Sequence, residues 1–291
     1  MKVKHLSKKI HRNYILEDIN FHVEPGSITG VVGRNGAGKT TLLRTMAGIL
    51  IPSRGDVSID GRSIFQHPEM KAATAFVPDS SEALKNFSTD EIKRLYQSLY
   101  PRFDPSYFDR LMDRFGLEKR KKIGHYSKGM KALFGLITAF STNASYILLD
   151  EPTDGLDVIV KKQVMQLLIE EASESNVSII LSSHRLDELE MMANDIILLR
   201  HGRVESHYEL DKLKERYKKL QVVFEETMPA ALEASVHILD QTGRVYTILV
   251  PESDPAVIEQ IHNSGPLLYE ELAMTLEDYF VARLGGDTYD A

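Results

Sequence analysis

Apolar and polar positions in the first third of the chain predict short strands arranged around one helix. Residues 15–23 alternate towards their end, which predicts a half-buried strand. The β-branched run Ile28–Val32 predicts a buried strand, and residues 57–59 before an Asp-Gly pair predict a hairpin. Between them, a glycine-rich stretch precedes a helix whose apolar face holds Leu42, Leu43, Met46 and Ala47.

The middle of the chain, from about residue 80 to 140, changes to a helical pattern. Ser88 and Glu91 have the spacing of a capping box ahead of an apolar helix face. Asp104, followed by a proline, opens a second helix, and a third begins near Ser127. We therefore expect a helical subdomain inserted between two groups of strands.

Alternating strands and helices then return, which predicts a parallel sheet. The expected order is a strand at residues 146–149, a helix at 158–172, a strand at 177–181, a helix at Leu186–Met192 and a hairpin at 196–204. From about residue 209 we expect a small α+β domain. Its elements are a basic helix at 213–219, strands near 220–224, 236–239 and 245–250, a helix at Pro255–Asn263, a strand at 267–269 and a helix at Leu276–Leu284.

The composition is that of an ordinary globular protein, with 43% hydrophobic and 26% charged residues. The net charge of −7 argues against a nucleic-acid partner, because proteins that bind the phosphate backbone are usually basic. Without cysteine the chain has no disulfide or thiolate metal site, and its histidines lack ligand spacing. This composition fits a reducing compartment such as the cytoplasm.

No apolar run approaches the roughly 18 residues that a bilayer-spanning helix needs. The basic residues before Ile10 are not followed by an apolar segment, so we expect no signal peptide. If the protein serves a membrane, it does so from the surface of a partner.

The stretch after Ile28–Val32 matches the phosphate-binding P-loop. We expect it to bind nucleotide through Gly33, Arg34, Asn35, Gly36, Ala37, Gly38, Lys39, Thr40 and Thr41. Glycines let backbone N–H groups turn onto the phosphates, and the helix N-terminus adds its positive dipole end. Lys39 reaches the β- and γ-phosphates, and Thr40 supplies a hydroxyl to Mg²⁺. A chance glycine turn is disfavoured, because a strand precedes the motif and a helix follows it.

Two carboxylates end the strand at 146–149. Asp150 is expected to hold Mg²⁺, usually through water, and Glu151 to act as general base on the attacking water. The alternative is that these two acidic residues only cap the end of the strand. The P-loop earlier in the chain makes this alternative less favoured. His184 follows the strand at 177–181, where a doubly wound sheet places its ligand. A lone histidine there is usually structural, but a γ-phosphate contact is plausible at this edge.

The order of these motifs resembles the nucleotide-binding subunit of ABC transporters over residues 1–204. The family's signature loop, normally Leu-Ser-Gly-Gly-Gln, here reads Tyr126-Ser127-Lys128-Gly129-Met130. The resemblance implies that Ser127 and Gly129 bind the γ-phosphate held by the opposite subunit. Similar loops occur in exporter-type members, so we interpret Lys128 and Met130 as a variant and not as the sign of an inactive site.

Three further elements of the family match this sequence less closely. Residues 152–157 resemble the D-loop, in which Asp157 contacts the partner subunit. The glutamine that senses Mg²⁺ and the membrane partner falls at Asp79, whose carboxylate can reach a metal through water but cannot donate a hydrogen bond when ionised. The aromatic residue that stacks on adenine has no aligned counterpart, and Tyr14 and His11 are equal candidates.

The resemblance implies an α/β fold: a P-loop ABC ATPase core of mainly parallel sheet with antiparallel strands, an inserted helical subdomain and a small C-terminal α+β domain. The ATPase domain is expected at residues 1–208, with its helical subdomain at 79–140, and the C-terminal domain at 209–291. Two subunits, as a homodimer or heterodimer, would sandwich two ATP molecules with Mg²⁺. They would drive a transmembrane permease subunit, in the export direction, from the cytoplasmic face of the cell membrane.

The membrane partner is expected to contact the segment at residues 79–87, which joins the core to the helical subdomain. This segment carries Leu84 and Phe87 among polar residues, the pattern of a partly exposed loop with apolar anchors. The alternative is that both side chains pack against the helices of the subdomain. The helix at Leu276–Leu284 resembles the closing helix of exporter-type subunits.

Two other classes of function compete with this interpretation. Soluble ABC ATPases of translation, DNA repair or iron–sulfur assembly usually carry two cassettes, a long coiled coil or zinc-binding cysteines, whereas this chain has one cassette and no cysteine. A scaffold that binds without hydrolysis is disfavoured by the intact Lys39, Asp150, Glu151 and His184.

Overall fold

The structure is a computed structural model that describes residues 1–80, 82–251 and 254–284. Residue 81 of the segment at 79–87 and residues 285–291 of the expected C-terminal domain lie outside the described residues. The described residues form two compact units: residues 1–184 with 192–207, and residues 185–191 with those from 208 onward. No helix in the described part is both long and apolar enough to cross a bilayer.

An antiparallel sheet opens the first unit. Its strands are β1 (Lys2–Ile10), β2 (Asn13–His22), β4 (Arg54–Ile59) and β5 (Arg62–Ser63), in the order β2-β1-β4-β5. The predicted hairpin at 57–61 is the β4–β5 turn. The sequence pattern does not predict β1, because lysines occupy most of its exposed positions and only Val3 and Leu6 carry buried apolar side chains within it.

The central sheet of the first unit is mainly parallel. It contains β3 (Ile28–Val32), β6 (Thr74–Val77), β7 (Tyr146–Asp150), β8 (Ser178–Ser183), β9 (Asp195–Arg200) and β10 (Arg203–Glu209), in the order β10-β9-β3-β8-β7-β6. Every residue of β3, β7 and β8 is buried, as expected of strands covered on both faces. The strands predicted near these positions are confirmed.

Five α-helices of the described residues accompany these strands: α1 (Lys39–Met46), α2 (Thr89–Leu99), α3 (Pro105–Arg114), α4 (Lys128–Phe140) and α5 (Val158–Glu174). The next helix along the chain is α6 (Leu186–Met192), of which all but the last residue groups with the second unit. The predicted helix starts of the subdomain are confirmed by their caps. Ser88 and Glu91 form the capping box of α2, Asp104 accepts two N–H bonds from the first turn of α3, and Ser127 caps α4.

The second unit contains α7 (Leu210–Lys214), β11 (Tyr217–Val223), α8 (Ala230–Glu233), β12 (His237–Thr242), β13 (Val245–Pro251), α9 (Pro255–Asn263), β14 (Leu268–Leu272) and α10 (Leu276–Leu284). Its antiparallel sheet has the order β12-β13-β11-β14. The succession β11-α8-β12-β13-α9-β14 is that of a split βαβ motif. The apolar residues of β11 and β13 pack with α8 and α9 in one core.

Two expectations for this half of the chain need correction. The helix expected at 213–219 ends at Lys214, because Tyr217–Val223 pairs with both β13 and β14 and this pairing overrides the helical preference of its lysines. Residues 185–191, expected within the ATPase domain, group with the second unit. There Glu190 pairs with Lys214 at 2.6 Å and accepts a hydrogen bond from the Leu276 N–H at 3.2 Å.

Candidate functional site

Four parallel strands end side by side at one edge of the central sheet, in the order β3-β8-β7-β6. The register sets residues within one position of the strand ends opposite each other: Val32 with Ser183, Asp150 with Ser182, and Leu149 with Val77. Residues just beyond these ends are therefore neighbours, although they are far apart in sequence. The edge carries the P-loop, His184, Glu151 and Asp79, and such edges are where open α/β sheets bind ligands.

The P-loop leaves β3 in a conformation that depends on glycine, as Gly33 and Gly38 illustrate. A Cβ on Gly33 would lie 2.4 Å from the carbonyl oxygen of Leu199, so a side chain there would collide with backbone. Gly38 has a φ of 106°, in the left-handed region, and directly precedes α1. The exposed positions of the loop are Arg34, Asn35 and Gly36. A glycine-rich loop that leads into a helix N-terminus is an arrangement that binds phosphate in other proteins.

Lys39 is only 7% exposed and lies between a backbone carbonyl and a carboxylate. Its Nζ donates to the Gly33 carbonyl oxygen at 2.7 Å and lies 3.2 Å from Glu151 Oε1. Low exposure weakens the screening of this ion pair by water, so the two charges hold each other in a defined position.

Asp150 is buried and receives two hydroxyl hydrogen bonds on one oxygen. Thr40 Oγ1 donates to Asp150 Oδ1 at 3.0 Å, and Ser182 Oγ donates to the same oxygen at 2.8 Å. A hydroxyl and a carboxylate that converge in this way offer the hard oxygen ligands that Mg²⁺ prefers, and Mg²⁺ often uses only one or two protein ligands beside phosphate oxygens. The residues of this site therefore fit a magnesium ion.

Glu151 brings two other site residues together. Its Oε2 lies 2.9 Å from His184 Nδ1 while its Oε1 faces Lys39. The backbone of Glu151 has a φ of 48°, which is uncommon for a residue other than glycine. Consecutive residues of a regular strand point to opposite faces, so this left-handed turn changes the direction of the chain directly after Asp150.

The remaining predicted nucleotide and metal residues lie around this edge. Asp79 is exposed and, with Glu151 and Lys128, lines a cavity of about 380 Å³. Of the two candidates for adenine stacking, His11 lies in the turn between β1 and β2. Tyr14 precedes Ile15, whose carbonyl oxygen would be 3.0 Å from a Cβ on Gly38, so β2 passes close to the P-loop at that point.

The signature loop contacts the D-loop region of its own chain. Lys128 Nζ lies 3.3 Å from Asp154 Oδ2, and a Cβ on Gly129 would lie 2.9 Å from Val160 Cγ1 on α5. Asp157 caps α5, because its Oδ1 accepts the N–H groups of Ile159 and Val160 at 3.0 Å each. The structure thus brings the predicted residues of these two loops together.

Two residues of this region were not predicted from the sequence. Ser182 is recognisable as a site residue only once the register sets it opposite Asp150, although the Ser-Ser-His run at a strand end hints at it. Val160 is recognisable only from its close approach to Gly129. Both depend on long-range packing that a linear pattern does not encode.

Comparison with known proteins identifies the family. The family model described as "ABC transporter" matches residues 16–154. The chain is 35% identical to the ABC transporter ATP-binding protein YtrB of Bacillus subtilis, over 98% of both chains. It is 29% identical to the bacitracin transport ATP-binding protein BcrA of Bacillus licheniformis, over 99% of this chain and 98% of the relative.

Solved structures agree in fold. An ATP-binding subunit of an ABC transporter has a TM-score of 0.66 at 28% identity, covering 74% of this chain and 91% of that chain. A dimeric bacterial ABC transporter cassette, at 22% identity, has a TM-score of 0.62 and shows the same fold over 72% of this chain and 98% of its own. The chain belongs to the family of ABC transporter ATP-binding proteins, and it is an ATPase subunit of a transporter.

Proposed function

We propose that this subunit hydrolyses ATP with Glu151 as general base and powers export through a membrane-spanning partner as one half of an ATPase dimer. The observation that carries the proposal is the position of the Glu151 carboxylate. It lies between Lys39 Nζ, at 3.2 Å, and His184 Nδ1, at 2.9 Å, one residue after the buried Asp150.

Binding of ATP would begin with an exchange of partners at Lys39. The Lys39 amine forms an ion pair with Glu151 at 3.2 Å. The phosphate groups of ATP carry more negative charge than one carboxylate, and the helix N-terminus after the P-loop favours their binding. The Lys39 ammonium group therefore binds the β- and γ-phosphates in place of Glu151. The Glu151 carboxylate then becomes free to bind the attacking water.

Hydrolysis would follow as an in-line attack of that water on the γ-phosphorus. Glu151 accepts the proton of the water, the bond between the γ-phosphorus and the bridging oxygen breaks, and ADP and inorganic phosphate result. His184, held against Glu151, orients the carboxylate and contacts the γ-phosphate. Ser127 and Gly129 of a second subunit would complete the phosphate contacts.

A magnesium ion would be held by Thr40 and Asp150, with Asp79 reaching it through water. When bound, the ion neutralises charge that develops on the β- and γ-phosphate oxygens. The 3.0 Å hydrogen bond from the Thr40 hydroxyl to Asp150 supports this pair as ligands, since it places their oxygens side by side. Asp79 lines the same cavity as Glu151, which supports its place at the outer side of the site.

The surface beside Asp157 supports a dimer. Val158 and Ile159, in the first turn of α5, are 82% and 74% exposed, and large apolar side chains so exposed indicate a covered surface. We propose that a second ATPase subunit covers them, since the signature loop and Asp157 lie on this same part of the chain. A dimer would then enclose two ATP molecules between P-loops and signature loops.

The segment at 79–87 supports a membrane partner. Phe87 is 44% exposed, so packing against the helices that follow it does not bury its side chain. We propose that it anchors a permease subunit and places the protein at the inner face of the cell membrane. The direction of transport, export, rests on the likeness of the loop 126–130 and of the C-terminal helix to exporter-type members.

The proposed chemistry is tested by phosphate release from ATP with the purified protein. The parent should hydrolyse ATP, whereas Glu151→Gln should bind ATP and hydrolyse it at least about 100-fold more slowly, because an amide does not accept the proton of water. Hydrolysis by Glu151→Gln within a few-fold of the parent would exclude Glu151 as the base.

A further inference from the structure

Ser182 lies beneath the site and takes no part in the mechanism described above. It is the fifth residue of β8, fully buried, and it faces the end of β7 in the sheet register. Its hydroxyl donates to Asp150 Oδ1 at 2.8 Å and accepts from the Glu151 N–H at 3.0 Å. One small side chain therefore contacts both acidic residues of the site.

We infer that Ser182 is a positioning residue for ATP hydrolysis: its hydroxyl fixes the carboxylate of Asp150 and the backbone of Glu151 in their working orientations. This inference rests on the proposed function of those two residues. The hydroxyl can serve both because it carries one donor and two acceptor sites.

The need for such a residue follows from the backbone at Glu151. A regular strand would direct Asp150 and Glu151 to opposite faces of the sheet, whereas the chemistry needs both at its edge. The positive φ of Glu151 changes that direction, and a glutamate holds such a conformation only when its surroundings stabilise it. The hydrogen bond from the Glu151 N–H to Ser182 is a direct restraint on that turn.

The second hydrogen bond orients Asp150. Thr40 and Ser182 both donate to Oδ1, which fixes the rotation of the carboxylate and directs its other oxygen. A residue that orients a metal ligand through hydrogen bonding typically changes metal affinity or activity by about 10- to 100-fold when it is lost. Loss of Ser182 should therefore change the response to Mg²⁺ and the rate of hydrolysis together.

The same strand offers a matched control. Ser178, at the other end of β8, is also buried, accepts from the Gly26 N–H at 3.1 Å and donates to the Glu24 carbonyl oxygen at 3.2 Å. Ser178→Ala and Ser182→Ala each remove one buried hydroxyl with two hydrogen bonds. They should lower the melting temperature by similar amounts, but only Ser182 adjoins the proposed site.

The experiment measures kcat and KM for ATP, melting temperature, and equilibrium binding of a fluorescent ATP analogue with and without Mg²⁺. We expect Ser182→Ala to lose at least about tenfold in kcat with little change in KM, and to lose most of the tightening of analogue binding that Mg²⁺ causes. Ser178→Ala should keep both within about twofold of the parent. Ser182→Cys, whose thiol is larger than the hydroxyl but keeps a weak donor, should fall between parent and alanine variant.

The inference is wrong if Ser182→Ala has the same kcat, and the same Mg²⁺ effect on analogue binding, as Ser178→Ala. It is also wrong if Ser182→Cys and Ser182→Ala have equally low kcat values at equal melting temperatures. A parent protein that does not hydrolyse ATP would instead contradict the proposed function. The two failures are thus told apart by the activity of the parent.

Discussion

The amine of Lys39 and the carboxylate of Glu151 lie 3.2 Å apart, with exposed fractions of only 7% and 19%. The cation proposed to bind phosphate and the base proposed to activate water are thus paired with each other. In the proposed mechanism, phosphate replaces Glu151 as the partner of Lys39, so phosphate binding and release of the base are coupled.

Lys39→Ala removes the side-chain cation that the P-loop directs at the β- and γ-phosphates. We expect ATP binding to weaken sharply and hydrolysis to fall by at least about 100-fold, because charge stabilisation of the phosphoryl group is lost. Isothermal titration with ATP and phosphate release measure the two effects. Lys71→Ala is the control, since Lys71 also donates to a backbone carbonyl, that of Gly48 at 2.9 Å, but outside the site. Equal behaviour of the two variants would contradict the assignment.

Gly129→Ala tests the contact between the signature loop and α5. The new Cβ would lie 2.9 Å from Val160 Cγ1, so α4 and α5 would have to separate, at a cost of about 1–3 kcal/mol in stability. In a Val160→Ala background the nearest clashing atoms are gone and the cost should shrink. Thermal unfolding of the parent, the two single variants and the double variant measures the coupling between the two positions in a double-mutant cycle. Strictly additive changes in stability would mean that the contact is not tight.

Glu171→Gln should stabilise the protein more at neutral than at acid pH. Burial raises the pKa of Glu171, against the opposing hydrogen bonds from Tyr107 and Ser175. A raised folded-state pKa means that the folded protein holds this proton more tightly than the unfolded chain, so stability is lost as pH rises through that pKa. The glutamine avoids this loss, which amounts to about 1.4 kcal/mol for each unit of pKa difference.

Melting temperatures of parent and Glu171→Gln at about pH 4, below the ordinary pKa of glutamate, and at about pH 7.5 give the comparison. The neighbouring Glu170 provides a control of opposite sign, because its hydrogen bond with Arg114 lowers its pKa and its contribution to stability is present at neutral pH. Glu170→Gln should therefore destabilise more at the higher pH. A Glu171→Gln effect that is the same at both pH values would show that the carboxyl does not titrate differently on folding.

Phe87→Ala should weaken recovery of the protein on membranes that contain its permease while leaving the purified subunit folded and able to bind ATP. Phe87 is 44% exposed, so truncation removes little internal packing. Ile169→Ala is a matched control, because Ile169 on α5 is 42% exposed. The ratio of membrane-bound to unbound protein is measured for parent and both variants. An unchanged ratio, or a large fall in melting temperature, would remove Phe87 from the partner surface.

Local signals account for much of what could be predicted here. The runs at Ile28–Val32 and around Tyr146–Asp150, and the caps at Ser88 and Asp104, depend on neighbouring residues and are confirmed. The strand Tyr217–Val223 was missed in part because it gains its stability from two partner strands distant in sequence. A helical preference of lysines does not outweigh such pairing.

In the candidate site, too, local motifs identify individual residues, whereas their contacts depend on the fold. Lys39, Asp150, Glu151 and His184 could be named from their motifs, each beside a strand. That Lys39 and His184 meet at the two oxygens of Glu151 follows only from the register and order of the strands. Ser182 has no motif of its own, so its role could be found only after the register placed it against Asp150.

The most direct test of the account is the oligomeric state of Glu151→Gln with and without ATP and Mg²⁺, measured by size-exclusion chromatography with light scattering. Because the dimer of this variant should bind two ATP molecules without releasing phosphate, we predict a monomer without nucleotide and a stable dimer with it. The parent should return to monomer as it hydrolyses its ATP. A Glu151→Gln profile that ATP leaves unchanged, in protein shown by titration to bind ATP, would contradict a subunit that closes on a partner around ATP.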